Sequence, residues 1–503
     1  MKRLFIFGIL SLAALALLIT HLPPSEHVLA QAAPTATTRP TRVRPPKVTP
    51  TPEPTETAEP DENNADAELA PVAPGAMTSQ IVVFNPDTSG SATVQIDIYN
   101  SAGAVAYTTT EFISANGAKI ITLPNSLGAN FQGSAVISSD KNVQALALTA
   151  NGNNNARDAY EGTSAPAPNL VIPFARHLAN DTQNSILAVQ NTTASNADVT
   201  LTFYNADGTQ AHQQNTTVAA NQPLYLNTDD IFSGSHFTGT VGITSTQHIV
   251  AALQTRYLKD TAAVRALTKS EQDRIVYLNP VERKLNDKGV PQTWTEIFVR
   301  NNGANATDIT LEFFKNDGTL SGTQTATAVP ANGMAQFLLN DAAFASLGNA
   351  FAGWAKATSS GEPLGVSALS VLNKGKRLTG ADGLANSQLN TRYMCGNTAR
   401  SATENTQLTL LNTEARNAKV MVRLFDPNTG AKLAQATFKL TPNAATTVKL
   451  SDALFAGAGS DFRGMTLVQA KGTTPPKIIA AVSNPYGSSK LTGTTGYLCS
   501  ALP

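Results

Sequence analysis

One unit of sequence recurs four times, and this constrains the fold more than any other feature of the chain. Its best-formed copy is Ser185 to Gly208, SILAVQNTTASNADVTLTFYNADG. Aligned on the Asn that closes the first apolar run, the copies fall at Asn85, Asn191, Asn301 and Asn412, at intervals of 106, 110 and 111 residues. Two and four residues before each Asn the side chain is apolar: Val83 and Ile81, Val189 and Leu187, Val299 and Ile297, Leu410 and Leu408. Period two is the mark of a strand with one buried face. The next run alternates in the same way. Val94, Ile96 and Ile98 oppose Gln95 and Asp97; the later copies run Val199, Leu201, Phe203, then Ile309, Leu311, Phe313, then Val420, Val422, Leu424. A helix would scatter these residues around its circumference, whereas a sheet puts them on one core.

Turns punctuate each copy. The first are Asn100-Ser-Ala-Gly103, Asn205-Ala-Asp-Gly208, Asn316-Asp-Gly318 and Asp426-Pro-Asn-Thr-Gly430, where Gly accepts positive φ and Asn or Asp bonds its own backbone. A second polar turn follows at Ala115-Asn116-Gly117, Ala220-Asn221-Gln222, Ala331-Asn332-Gly333 and Pro442-Asn443-Ala444. Then comes Phe-x-Gly (Phe131 and Gly133, Phe237 and Gly239, Phe351 and Gly353, Phe462 and Gly464) and a last apolar strand. A further strand precedes the units at Asn169-LVIPF, Ile275-VYLNP and Arg392-YMC. About seven strands per repeat, with turn signals every 8–12 residues, is the pattern of an antiparallel immunoglobulin-like sandwich. The expected fold is all-β: four tandem immunoglobulin-like β-sandwich domains at 76–168, 169–269, 270–390 and 391–503.

The N-terminus is different material. Met1-Lys2-Arg3, the apolar run Leu4 to Thr20 and the Ala30-Gln31-Ala32 site read as a secretory signal peptide, residues 1–32, with an uncleaved membrane anchor as the alternative. Residues 33–75 are rich in Pro and Thr, basic in the first half and acidic in the second, with too few large apolar residues to bury a core. They read as a disordered stalk or linker, a candidate for O-glycosylation.

The succession V-x-N, A-x-V-x-L-x-F-Y-x-x-x-G, A-N-G and F-x-G-x-A-V-I, over about Ser79 to Val482, resembles the tandem immunoglobulin-like repeats of uncharacterised secreted bacterial cell-surface proteins. The resemblance implies exported, surface-associated modules, and it carries no catalytic residue. The fourth copy departs from it at Pro442, at Met465 and in its cysteines.

Cys395 and Cys499 bracket the last domain. Their spacing fits neither a zinc ribbon nor a redox pair. In an exported chain they read as a disulfide, with two free buried thiols as the alternative. The tail Gly496-YLCSALP repeats the Tyr-apolar-Cys of Arg392-YMC, so a tail folded back beside that strand brings the cysteines together. A terminal repeat without a neighbour to cover its end gives a reason for the bond.

Chemistry should stand out from a repeat background. His177, His212, His236 and His248 all lie in the second domain without metal-ligand spacing, and they read as surface or loop residues. The Asn/Asp/Gly turns lack the pattern of a calcium loop. No nucleophile elbow, phosphate loop or dinucleotide fingerprint appears in a suitable setting. No enzyme, cofactor or metal is therefore expected. Trp294 and Trp354 fall in the third domain, Trp354 where the others have Ser134, Thr240 and Met465. They are the possible ligand contacts, since an exposed Trp stacks on a sugar or anchors a protein; idiosyncratic packing is the plainer alternative.

The formal charge is zero, so no global field favours nucleic acid or an anionic membrane. Only 391–503 is basic, with twelve Lys and Arg against five acidic residues. The reading is a non-enzymatic extracellular or cell-surface protein, exported through the Sec pathway, with a structural or adhesive role. The alternative is binding of a carbohydrate or cell-wall polymer. Partners would be envelope polysaccharide or another surface protein, with membrane contact only through an uncleaved N-terminus.

Overall fold

The alternating runs form strands, and each repeat deploys them alike. A computed structural model describes residues 2–8 and 77–502, apart from 129–130, 152–156, 179–182, 258–259, 373, 375–376, 403 and 489–490. The rest of the expected leader and the whole of the expected linker lie outside the described residues. Strand β1 (Lys2–Gly8) comes first. Repeat 1 contains β2 (Met77–Phe84), β3 (Ala92–Asn100), β4 (Val105–Ile113), β5 (Ala118–Thr122), β6 (Gly133–Ser139), β7 (Gln144–Asn151) and β8 (Arg157–Glu161). Repeat 2 contains β9 (Ala167–His177), β10 (Gln183–Asn191), β11 (Ala197–Asn205), β12 (Gln210–Val218), β13 (Pro223–Asn227), the short α1 (Thr228–Phe232), β14 (Phe237–Tyr257) and β15 (Asp260–Arg265). Repeat 3 contains β16 (Ile275–Leu285), β17 (Pro291–Asn301), β18 (Thr307–Lys315), β19 (Leu320–Val329), β20 (Met334–Leu338), β21 (Ala350–Ser359), β22 (Leu364–Leu372), β23 (Arg377–Asp382) and β24 (Leu384–Ala385). Repeat 4 contains β25 (Arg392–Arg400), β26 (Gln407–Asn412), β27 (Ala418–Phe425), β28 (Lys432–Leu440), β29 (Ala445–Lys449), β30 (Phe462–Lys471), β31 (Ile478–Ser488), β32 (Leu491–Leu498) and β33 (Ser500–Ala501).

Each repeat builds two antiparallel sheets, which in repeat 3 are joined where β16 pairs with β17 through Arg283↔Trp294. The flanking sheets run β1-β6-β3-β4, β9-β14-β11-β12, β16-β21-β18-β19 and β25-β30-β27-β28. The axial sheets run β5-β2-β7-β8, β13-β10-β14-β15, β20-β17-β22-β23 and β29-β26-β31-β32. In repeat 2 one long strand serves both: Gly239 to Ser245 pairs with β11, and Ile249 to Tyr257 pairs with β10. The apolar alternation of the two sheets meets in a shared core. In repeat 1, Ile81 and Val83 of one sheet join Val94, Ile96 and Ile98 of the other.

The Asn used for alignment is a keystone. Asn85, Asn191, Asn301 and Asn412 are fully buried. The Nδ2 group of Asn301 donates to the carbonyls of Asn305 (2.7 Å) and Val329 (2.9 Å), and its Oδ1 accepts from the Gly303 amide (2.9 Å). The other three make the corresponding bonds. One side chain thus ties two loops to the end of a strand, and satisfies buried backbone that would otherwise cost about 1–3 kcal/mol per group.

Eight strand positions fill each repeat, against about seven expected. The unforeseen one is the closing strand: β8, β15, β23 and β32. These four lie at the centre of a ring. β8 packs against β15 and β32, and β23 packs against the same two. Their close approach demands small residues, which erases the alternation that reveals a strand. A Cβ on Gly380 would stand 2.3 Å from the Ala263 carbonyl oxygen.

The repeats therefore close on themselves instead of forming an open string. The first turn of each repeat docks on the second turn of the next. Met334 N–H donates to the Ala206 carbonyl (2.8 Å), and Ala445 N–H to that of Asn316 (2.9 Å). Ala118 N–H donates to that of Pro427 (2.8 Å), and this last bond joins repeat 4 back to repeat 1. The turn glycines have φ of +67° to +90°, and a Cβ on Gly430 would lie 1.7 Å from the Ala115 oxygen. Turns read as simple hairpins are thus also the couplings of the ring. The same closure buries the first strand of each axial sheet on both faces. Phe298 looks into repeat 2 while Ile297 and Val299 look into repeat 3. One buried face had been expected.

Candidate functional site

The closing strands carry charge at one equivalent rung. Glu161 lies opposite Leu146, Arg265 opposite Ala252 and Asp382 opposite Ser367. Ring closure brings the three together, with Glu271 from the turn after β15 and Ser500 from the tail. Arg265 Nη1 is 2.7 Å from Glu271 Oε1, and its Nε is 3.6 Å from Asp382 Oδ2. Ser500 donates to Glu161 Oε1 at 2.6 Å. Thr268 fixes Glu271, donating from both its amide and its hydroxyl. All four repeats contribute to this cluster.

Three carboxylates around one guanidinium would leave two uncompensated negative charges. Burial pushes Glu161 up to about 7, against the pull of Arg265 and of the Ser500 hydrogen bond. Burial likewise pushes Asp382 up to about 6, again against Arg265. For Glu271 burial is outweighed by Arg265 and Thr268, which hold it below the usual carboxylate range. Burial opposes the charge on Arg265, but the three carboxylates together raise its affinity for its proton. The cluster is a proton-sensitive junction. Among the described residues no group of three or more His, Cys, Asp or Glu is placed to hold a metal. The sequence signal was present in charged residues closing three small-residue strands at the same rung, but it is invisible until those strands are recognised.

Of the residues read from the sequence, the cysteines come together. Cys395 and Cys499 are bonded, and β33 pairs with β25 through Met394↔Ser500 and Tyr393↔Ala501. The reason differs from the one expected, because repeat 4 has a neighbour, repeat 1. The bond fastens the tail that carries Ser500 into the axial cluster.

Trp354 is not on the surface. It is 1% exposed, stacks on Phe314 with centroids 4.2 Å apart, and donates from Nε1 to the Asn443 carbonyl of repeat 4 at 3.0 Å. Leu411, Ala445 and Ile479 of repeat 4 complete the contact. Trp294 is half-buried between the cores of repeats 2 and 3, its Nε1 3.3 Å from Glu296. The position of Trp354 is variable because it faces the next repeat. Thr240 there receives Arg300 Nε (3.0 Å) and donates to the Asn332 carbonyl (2.9 Å). Met465 packs on Phe84 and Ala118 of repeat 1. Ser134 is buried without a hydrogen-bond partner for its hydroxyl.

The histidines occupy separate places. His177 is buried rather than exposed, its Nδ1 2.9 Å from Asp229 Oδ1. His212 faces Phe203 and Phe232, and the His248 carbonyl accepts from Thr192. The cap of α1 is Asn227, which accepts from the Asp229 amide.

A family model described as "Family of unknown function (DUF5719)" matches residues 69–285 and again 289–482, and the chain belongs to this family. No curated protein matches it. Among solved structures, a glycoside hydrolase of family 32 from Bifidobacterium adolescentis aligns over 85% of this chain and 95% of its own, at 8% identity and a TM-score of 0.13. A likeness that low carries no argument about fold or activity.

Proposed function

We propose that this member of DUF5719 is a non-enzymatic, exported structural or adhesive protein: four immunoglobulin-like β-sandwich repeats closed into a ring and carried away from the cell on the Pro/Thr-rich linker. The observation that carries the reading is where the recurrent residues go. The repeated Asn, the turn glycines and the Phe-x-Gly motif are spent on cores and couplings, which suits a rigid scaffold. The Lys2-Arg3 leader, the Ala30-Gln31-Ala32 site and the Cys395–Cys499 bond support export to an oxidising compartment. The polysaccharide alternative keeps the basic charge of repeat 4 but loses the exposed indole it relied on.

Fractionation of the native host, with mass analysis of the N-terminus and limited proteolysis, tests the reading. The expected result is a chain in the envelope or medium that begins after Ala32, whose repeats resist protease after the linker is trimmed. Recovery from the cytoplasm with Met1 intact would overturn it.

A further inference from the structure

Repeats 2, 3 and 4 each take their flanking edge strand from sequence just ahead of their axial sheet: β9 before β10, β16 before β17, β25 before β26. In repeat 1 that place is held by β1, from the leader. β1 also differs in kind. It pairs with β6 from Lys2↔Ser139 to Gly8↔Gly133 without interruption. The other three share a break in register at one place, two residues bulging against one. Pro173 and Phe174 oppose Thr240, Asn279 and Pro280 oppose Trp354, and Gly396 and Asn397 oppose Met465. The single residue is each time the one that faces the next repeat. A bulge tolerates proline because it leaves the ladder hydrogen bond unmade.

Directly ahead of β2 the chain reads Leu69-Ala-Pro71-Val72-Ala73. It parallels Val171-Ile-Pro173-Phe174-Ala175 and Leu278-Asn-Pro280-Val281-Glu282, in which Phe174 and Val281 are fully buried. Pro71 stands 14 residues before Asn85. Asn397 stands 15 before Asn412, and Pro173 stands 18 before Asn191, so the tether is comparable. The family match begins at residue 69 and leaves the leader out.

We propose that, once the leader is removed, residues 69–73 replace β1 on the edge of β6, with Pro71 in a bulge opposite Ser134 and Val72 or Ala73 opposite Gly133. This rests on the export reading given above. An empty slot would leave β6 with a bare row of amides and carbonyls, a template for unwanted pairing. It would also uncover β14 of repeat 2, against which β1 lies. The free linker then ends near residue 68 instead of 75.

Hydrogen exchange on the secreted chain, read by mass spectrometry, tests the inference. Intact mass first reports the N-terminus. The expected result is a chain lacking the leader in which the amides of 70, 72 and 73 and of Gly133–Ser139 exchange at least about tenfold slower than those of 40–60. Val72→Asp should speed both segments together, and Val72→Ile should leave both slow. Exchange of 69–73 at the rate of 40–60 in the unmodified chain overturns the proposal without any variant. Slow exchange of β6 alone overturns it too, and assigns the slot to a strand from a second copy or a partner. A chain that retains Met1 overturns it by a different route, since the mass then shows that the export reading failed first.

Discussion

Apolar packing crosses the joints, as where Phe298 of repeat 3 stacks on Phe174 of repeat 2, but one position that faces the next repeat is polar in repeats 1 and 2, Ser134 and Thr240, and apolar in repeats 3 and 4, Trp354 and Met465. All four joints rest on a turn-on-turn coupling, made by a backbone amide at three of them and by the Gln222 side chain at the joint between repeats 1 and 2. What the four positions meet differs too: Thr240 meets Arg300, Trp354 meets Leu411 and Met465 meets Phe84, while the Ser134 hydroxyl is buried without a hydrogen-bond partner. Arg300 is 2% exposed and has no carboxylate; Thr240, Asn302 and Asn332 bind its guanidinium, which burial pushes down to about 10. Such a group adds little net stability over an apolar side chain of equal size. It does discriminate, because Arg300 set against Trp354 or Met465 would lose the acceptor of its buried Nε. Shared turns make the repeats dock, and unlike facing pairs fix the order in which they dock.

The largest effect expected of that difference is at Trp354. Trp354→Ala removes the stack on Phe314 and the bond to Asn443, and should cost about 3–5 kcal/mol. Ser134→Ala, at the equivalent position, removes a buried hydroxyl without a partner and should change stability by about 1 kcal/mol or less, in either direction. Denaturant midpoints of the two variants compare them directly. Equal losses would mean that the joint at Trp354 holds the ring no more firmly than the joint at Ser134.

Much of this is legible in the sequence. Alternation at Ile81/Val83 and its three counterparts marked strands and a core, and two cysteines bracketing one repeat marked a bond. The ring was not legible, for physical reasons. The closing strands are short and rich in Ala and Gly because four of them crowd one axis, so β15 (DTAAVR) shows no period. Turns such as Asn205-Ala-Asp-Gly208 are sufficient as hairpins, and nothing in them announces a second duty. Trp354 varied among the copies as a ligand contact would, but a residue that faces the next repeat varies in the same way.

The axial cluster is the second place to press on the comparison, because Glu161, Arg265 and Asp382 converge there from the three repeats that the joints at Ser134 and Thr240 connect. Glu161 and Asp382 are raised to about 7 and about 6, well above their ordinary values near 4. A raised carboxylate stabilises the fold fully below its ordinary value, and that contribution is lost as pH climbs through the folded value. The ring should therefore be less stable at pH 8 than at pH 5, by roughly 2–4 kcal/mol. Glu271, held low, works in the opposite sense and only at more acid pH. Glu161→Gln should remove a large part of the slope between pH 5 and 8 in urea unfolding. A slope unchanged in that variant would place the sensitivity elsewhere.

The smallest effect isolates the coupling from the facing pair. At the joint between repeats 1 and 2 the residue that should donate its amide is Pro223, which has none. Gln222 Nε2 donates to the Ser101 carbonyl instead, at 3.0 Å. Asn221 keeps the turn with φ of +57°, as Asn116, Asn332 and Asn443 do in theirs. Gln222→Ala should thus cost about 1 kcal/mol, one hydrogen bond lost between partly exposed groups. Adding Pro223→Ala restores a backbone donor where Ala118, Met334 and Ala445 have one, and should recover most of that loss. Thermal unfolding of the single and double variants reads the difference. If the double variant is no better than the single, the side chain of Gln222 does more at this joint than stand in for a missing amide.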